Sequence, residues 1–544
     1  MKKPVREWLP AQPTLLPPDI RHWLPDDHLV WFILDIIERF DLGAIEARLD
    51  AKDHRGTVPY DPRMMVALLV YAYAVGVFSS RRIERATYED VAFRVLTADQ
   101  HPDHDTIATF RRENLEEFKS LFVQILRIAG QMGLVRFGVL GLDGVKILAN
   151  ASKHQAMSYD RMQSELVRLQ KEIAQLLALA EQTDSEEQAR FGDGRQMDLP
   201  EELRRRQERK AKIEAAMALL EEEAREARLA ELREQEARHR ARAEALEEDD
   251  TTRKRSATLA AKRAEAISSI ETAAGEEESD DDPDDDDPDD GDPGEAMPSH
   301  RPPHHVDGSP KDKAQRNFTD GDSRIMVRDG DHIVQAFNAQ ALVDNAHQII
   351  VAVGVGNQSP DAEYLEPMLA RAGANLAAAG LEPPGDVPIV ADTGYFSAAN
   401  IDAAISLGFD PYIAPERTRH RRYELPEPEP GPEEPRAEGL DEPPSSPDEP
   451  PEGAGTDPEE TKQPPPLSPR EAMRAKLRTP EGAALYAKRK TTPEPVFGQI
   501  LEARGFRRFK LRGLGKVRGE WDLVTLTHNL LKLWRSGKAL PAAP

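Results

Sequence analysis

The sequence predicts an α/β core that follows an all-α N-terminal region and is interrupted by a long helical insertion. Three observations predict it. Residues 1–125 repeat apolar positions at helical spacing. Residues 317–423 alternate short β-rich runs with amphipathic helical stretches. Between them, Leu166, Leu169, Ile173 and Leu176 follow the 3-4-3 spacing of a helix–helix seam.

In the N-terminal region, His28 to Phe40 places apolar residues on one helical face. Asp61-Pro62 opens the apolar run Met64 to Phe78 as an N-cap with proline in the first helical position. Ser79-Ser80 caps a helix over RRIERATYEDVAFRVL. After the turn HPDHD, Asp105 or Thr106 caps a longer helix bearing Arg111 and Arg112. Two short helices, a turn and a basic third helix fit a helix-turn-helix DNA reader. A plain helical bundle with a basic surface is the alternative. His101 and His104, in a Pro/Asp turn, read as capping or surface residues rather than a metal pair.

Residues 137–151 change period and read as a strand containing Asp143. The insertion, 155–275, reads as an antiparallel helical hairpin broken at FGDGRQMDLP, its second helix starting near Glu201. Three strands follow order's return near residue 317: SRIMV, DHIVQAFNAQALVD and HQIIVAVGV. A helix over 361–382, a buried strand ending at Asp392, a helix over SAANIDAAISLG and the strand FDPYIAPE complete the pattern. A helix from about Pro480 carries Tyr486, Arg489 and Glu494, with Pro493 constraining Thr492 and placing Glu494 in a helix's first turn, and a last helix covers LVTLTHNLLKLWR.

Charge separates these parts. The 544 residues carry a net charge of −26. Residues 276–295 hold 14 acids and no base, and residues 424–470 hold 14 acids against 3 bases with 15 prolines. Such segments cannot bury a core and are expected to be disordered. The acidic run reads as a charged linker, with nucleic-acid mimicry or cation binding as alternatives. The rest is close to neutral, and residues 486–535 carry 12 Lys or Arg against 4 acids. That local excess, not the overall sign, bears on partners.

There is no cysteine. Disulfides, cysteine–zinc sites and a catalytic thiol are excluded, which suits a reducing cytoplasm. No apolar run is long enough for a membrane span, and MKKPVREWLPAQ lacks the apolar core of a secretory leader, so neither is expected. Phosphate-binding glycine loops, HExxH and GxSxG are also absent.

The carboxylates carry the chemistry. Asp143 lies inside one apolar strand and Asp392 ends another. A charge in such a place is costly unless paired or bound to a metal. Two strand aspartates and a helix glutamate would make a hard oxygen cage for Mg²⁺ or Mn²⁺. Two such ions can activate a water and stabilise a leaving oxygen in phosphodiester cleavage. A turn role or an ion pair is the alternative for each aspartate.

Five stretches, in order, resemble the DDE transposases of bacterial insertion sequences that carry a tyrosine–arginine–glutamate signature. They are YDPRMMVALLVYAYAVGVFSSRRIE with DHDTIATFRREN, LGLDGVKILANAS, NFTDGDSRIM, ADTGYF, and YAKRKTTPEPVFGQI with RGLGKVRGEWDLVTLTHNLLKLWR. The resemblance implies a ribonuclease H-like catalytic core, a mixed sheet flanked by helices, over 137–423 and 476–535. It implies a DNA-binding helical domain over 1–125. The hairpin insertion 155–275, the acidic linker 276–312 and the Pro/Glu-rich insertion 424–475 lie outside the family's common pattern. Asp143, Asp392 and Glu494 take the catalytic and metal-binding positions, for Mg²⁺ or Mn²⁺, expected as two ions. Tyr486 and Arg489 take the signature positions at the cleaved DNA, with helix packing as the alternative for Tyr486. The usual gap between arginine and glutamate is three residues and here is four, so Lys490 is the competing base. The family's lysine beyond the glutamate falls on Leu501, with Arg504 as a substitute from the next turn. Arg111, Arg112, Arg507 and Arg508 are the further expected DNA contacts.

The implied activity is binding of terminal inverted repeats, metal-dependent strand cleavage and strand transfer to target DNA. The expected setting is a cytoplasmic, nucleoid-associated homo-oligomer without membrane contact. A catalytically inactive or repurposed DNA-binding derivative is the first alternative, and an interaction protein built on the hairpin and acidic tracts is the second.

Overall fold

The computed structural model describes residues 20–51, 58–191, 201–246, 251–275, 297–328, 332–416 and 467–541. Seven helices come first: α1 (Leu29–Ile37), α2 (Gly43–Asp50), α3 (Pro62–Ala74), α4 (Ser80–Glu89), α5 (Val91–Leu96), α6 (His104–Glu113) and α7 (Glu117–Gln131). Asp61 caps α3 as expected, its side chain accepting from the Arg63 N–H, with Pro62 in the first turn. The helix expected after Ser79-Ser80 is two helices. Asp90 leaves the helical region (φ −106°, ψ 125°) and caps α5 through the Ala92 and Phe93 N–H groups. Asp103, rather than Asp105 or Thr106, caps α6. His101 stacks on Tyr88 and its Nδ1 lies 3.1 Å from Thr87 Oγ1, and His104 bonds Glu84 through Nδ1.

The sheet begins with β1 (Leu140–Leu148), which pairs on both sides. A small ladder, β2 (Ala156–Ser158) with β3 (Gln315–Asn317), brackets the insertion. The remaining strands are β4 (Arg324–Arg328), β5 (His332–Asp344), β6 (Ile350–Gly356), β7 (Val387–Ala391) and β8 (Phe409–Ile413). β5 runs antiparallel to β1 along one edge. Its other edge pairs with β4 near its start and β6 near its end. β7 lies parallel to β1, and β8 parallel to β7. The three consecutive strands read from the sequence are therefore present. Ile389 and Ala391 join the main core while Val390 between them joins a second cluster, the alternation expected of a strand covered on both faces.

The insertion holds three helices instead of the expected hairpin: α8 (Tyr159–Phe191), α9 (Glu201–Glu244) and α10 (Thr251–Gly275). The third escaped because its apolar positions follow no clean helical stripe. At the base, Met157, Met162, Leu169, Ile213 and Ala216 form a separate core. Glu223 of α9 pairs with both Arg316 and Arg324, fastening the insertion to the sheet.

The expected break around 192–200, the acidic run 276–295 and residues 424–466 lie outside the described residues. Two parts expected as disordered linker are ordered. Met297 is buried, the His300 N–H donates to Asn357 and His304 bonds Glu231. Residues 467–475 enter a helix opened by a capping box between Ser468 and Glu471.

Six α-helices complete the described residues: α11 (Leu365–Ala378), α12 (Ala398–Ser406), α13 (Pro469–Arg478), α14 (Pro480–Ala487), α15 (Pro493–Gly498) and α16 (Leu514–Arg535). α7, α11 and α16 pack around β6, while α13 and α14 cover β7 and β8. Among the described residues, no helix is long and apolar enough to cross a membrane.

α16 also packs on α3 of the N-terminal region. There Glu520 is fully buried. One carboxylate oxygen accepts from the Tyr73 hydroxyl at 3.0 Å, and the other from the N–H groups of Lys510 and Leu511 at 2.8 and 3.1 Å. Arg111 donates to Tyr73 Oη at 2.9 Å and to the Phe78 carbonyl at 3.0 Å. Arg111 was expected on a DNA-facing surface; it is instead 5% exposed and belongs to this buried network. Glu520→Ala strands the Arg111 charge and two backbone donors, so it is expected to destabilise the fold by about 3–5 kcal/mol. Tyr73→Phe should cost about 1–2 kcal/mol. Urea denaturation of the two variants checks the order.

Candidate functional site

β1 brings the first carboxylate to the middle of the sheet. In the parallel ladder Leu140 faces Ile389 and Gly141 faces Val390. Continuing that register sets Asp143 level with Asp392, the residue after β7. Asp392 caps the short turn Thr393–Tyr395, and the Gly394 N–H donates to its Oδ1 at 2.8 Å. Asp143 Oδ1 accepts from the Gly144 N–H at 2.9 Å. Burial pushes the Asp143 carboxyl up to about 7, and the charges of Asp392 and Asp361 act in the same direction. The Gly144 N–H and the Arg489 guanidinium oppose the rise.

Asp361 was not read from the sequence. It follows β6 in the segment SPDAEY, and an acid just past a buried strand was the only signal available. Its Oδ1 accepts from Lys146 Nζ at 2.9 Å, Asn338 Nδ2 at 2.7 Å and Gln340 Nε2 at 3.1 Å. Lys146 lies on β1, and Asn338 and Gln340 face Lys146 and Gly144 across the ladder. Tyr395, fully buried, donates to Gln340 Oε1. Its hydroxyl is pushed well up, first by burial, then by Asp361, Asp143 and Asp392. A Cβ at Gly144 would lie 2.2 Å from Gln340 Nε2, so a larger residue there would displace the Gln340 amide from Asp361.

The expected single helix through Tyr486, Arg489 and Glu494 is broken into three pieces. Tyr486 ends α14, Arg489 lies on a 3₁₀ turn (Lys488–Thr491), and Glu494 sits in the first turn of α15. Pro493 accounts for the last break, because it has no N–H to bond back and fits a helix's first turn, where Glu494 follows it; Thr492 before it nonetheless stays in the helical region (φ −101°, ψ −70°). α15 is docked on β1 through Gly141, whose added Cβ would meet Pro493 Cδ at 2.8 Å and Thr492 at 3.1 Å. Arg489 Nη1 approaches Glu494 Oε1 at 3.8 Å, with the two side chains 20% and 49% exposed.

The structure thus brings Asp143, Asp392 and Arg489 into electrostatic reach of one another, with Glu494 attached through Arg489. Among the described residues, no three His, Cys, Asp or Glu side chains form a group able to hold a metal ion, so Glu494 does not join the two aspartates in such a group. Hard carboxylate oxygens on neighbouring strands, one with its ionisation opposed by its neighbours, still suit a divalent cation chemically.

Other expected contacts separate. Tyr486 packs against the cluster that includes Val390 and Leu477. Lys490 and Arg112 are exposed. Arg507 pairs with Glu502, and Arg508 lines an open cleft. Arg504, the substitute for the missing lysine, turns inward to the Val524 carbonyl and Thr527, its guanidinium pushed down to about 9 by burial and Arg535.

Two family models match the chain. One, described as a transposase domain (DUF772), matches residues 18–113. The other, a transposase DDE domain, matches residues 459–534. The second spans Tyr486, Arg489 and Glu494, and neither reaches Asp143 or Asp392. No curated protein and no solved structure gives a match. The two matches support a transposase role.

The Asp143 carboxyl holds its proton more tightly in the folded chain than its ordinary value of 3.8 would give. The cost of ionising it is absent below about pH 4, grows between about pH 4 and 7 and is constant above. Asp143→Asn removes that cost. The variant is expected to be more stable than the parent at about pH 8, by at most about 4 kcal/mol, with the two converging below about pH 4. Urea denaturation at both pH values reads the difference, and a pH-independent gap would contradict the burial account.

Proposed function

We propose that the protein is a DDE transposase: it binds the terminal inverted repeats of an insertion sequence, cuts a DNA strand and joins the freed end to target DNA. The observation that carries this reading is the level placement of Asp143 and Asp392 on adjacent parallel strands, in a chain with transposase-domain matches at both ends. The sheet, antiparallel across β6, β5 and β1 and parallel across β1, β7 and β8, is compatible with a ribonuclease H-like core.

In this reading Asp143 and Asp392 hold Mg²⁺ or Mn²⁺, with two ions as the expected number, and Glu494 joins them when it exchanges its loose contact with Arg489 for DNA-bound geometry. Such ions, when bound, supply Lewis acidity to the attacking and leaving oxygens. The remaining work falls to the chain. Asp143, ionised on binding, fixes its position through the Gly144 N–H. Lys146 and Asp361 neutralise each other beside the aspartates and hold the Asn338 and Gln340 amides in place. Arg489, released from Glu494, presents a planar fork of donors to a phosphate. Tyr486 positions the cleaved end from α14, with Lys490 and the exposed Arg112 as further phosphate contacts. An active complex of more than one copy and a cytoplasmic, nucleoid-associated location go with this function.

The lack of a three-acid group among the described residues favours one alternative, a DNA-binding protein derived from a transposase that no longer cuts. Mg²⁺-dependent nicking of DNA bearing the element's ends separates the two. Asp392→Asn is expected to abolish nicking, a loss of at least about a thousandfold, while end binding stays at the parent level. Nicking that survives in the variant removes Asp392 from the site. Mg²⁺ should also raise the melting temperature of the parent more than that of Asp392→Asn, because an ion bound only by the folded state stabilises it.

A further inference from the structure

We propose that the cleft between the end of β1 and the loop before α16 is a second DNA anchor, which holds the phosphate backbone a few nucleotides from the Asp143–Asp392 pair. This rests on the transposase reading and adds to it a site that the carboxylates and the tyrosine–arginine–glutamate segment do not include.

The cleft has a volume of about 550 Å³, and its walls include Asn150, Lys153, Ile333, Val334, Arg508 and Arg512. Lys153, Arg508 and Arg512 are all exposed. Among the described residues none of the three pairs with a carboxylate, whereas the neighbouring Arg507 is taken up by Glu502. Arg512 Nε donates to the Asn150 carbonyl at 3.0 Å, which fixes the guanidinium at the cleft wall and leaves its outer nitrogens for a ligand. Three cations gathered without acids around an open cleft are a site for a polyanion.

The backbone sets its distance from the carboxylates. The Phe509 N–H donates to the Leu148 carbonyl at 2.9 Å, the Leu148 N–H to the Arg507 carbonyl at 3.4 Å, and Asn150 Nδ2 to the Lys510 carbonyl at 2.7 Å. The basic loop is thereby sewn to the far end of the strand that carries Asp143. Leu148 lies five residue steps beyond Asp143, which at about 3.3 Å per residue is roughly 17 Å. A phosphodiester backbone with one phosphate at Asp143 that follows β1 therefore reaches the cleft a few nucleotides further on. The partly apolar wall of Ile333 and Val334 gives the sugar edge a surface that costs no desolvated charge. The cleft is open and its cations stand at the end of the strand that carries Asp143, so the DNA of the proposed reaction is the polyanion within their reach.

The experiment uses the full chain and a fluorescently labelled 30-base-pair duplex of mixed sequence, with affinity measured by anisotropy across a salt series. In the variant combining Lys153→Ala, Arg508→Ala and Arg512→Ala, the slope of log affinity against log salt is expected to become shallower by about 2.7, since each lost phosphate contact removes about 0.9. Arg507→Ala should leave the slope nearly unchanged. Arg508→Lys with Arg512→Lys should keep it, because the charges remain. All the altered side chains are exposed, and equal melting temperatures establish that the variants fold. A folded triple variant with the parent's slope overturns the anchor and leaves the transposase reading intact. A parent that shows no salt-sensitive DNA binding overturns both.

Discussion

A buried carboxylate holds the two ends of this molecule together. Glu520 lies on the last helix, Tyr73 and Arg111 on the N-terminal helices, and Lys510 and Leu511 on the basic loop. Burial raises the cost of ionising Glu520, and Arg111 with the two backbone donors offsets it. No member can leave without stranding a polar group in the core. The constraint reaches the sheet one residue later, where the Trp521 indole N–H donates to the Gln340 carbonyl at 3.1 Å. Gln340 in turn touches Asp361 and Tyr395, so the network that sets the N-terminal helices also fixes the floor beneath the carboxylates.

That floor explains how a charged strand residue is tolerated at the centre of a sheet. Asp143, Asp392 and Asp361 carry like charges into a partly buried space. Lys146 neutralises one directly, and Arg489 acts on another at longer range. Burial is the main reason Asp143 resists ionisation, and the incomplete balance of charge adds to it. A site left short of positive charge by its own side chains is one that a cation and a phosphate-bound complex can complete.

Much of this was legible in the residues, for identifiable reasons. The strands of the second half were readable because β5 and β6 are long apolar runs with turns on either side. Asp61-Pro62 announced α3 because capping chemistry is local. Arg111 was misread because an arginine on an amphipathic helix looks the same whether it meets solvent or a buried tyrosine; its partner lies 38 residues away in sequence. Asp361 was missed because its meaning comes from Lys146, 215 residues earlier. The third insertion helix and the Gln499–Ala503 π segment were missed because neither has an apolar stripe of regular period.

The three expected catalytic acids differ in how they are held. Asp143 and Asp392 stand on or beside strands whose ladders leave little freedom. Glu494 stands in a stretch that passes from a 3₁₀ turn through one short α-helix to a π turn within Lys488–Ala503. Mixed helical types in so short a run give the segment the pattern of a hinge or of local strain. Its start is nonetheless pinned, because Gly141 lets Thr492 and Pro493 lie directly on β1. Under the proposed function Glu494 must approach the aspartate pair, and its place just past the pinned start of α15 makes this segment, rather than the sheet, the part that moves; Asp143 and Asp392 stay held by their ladders.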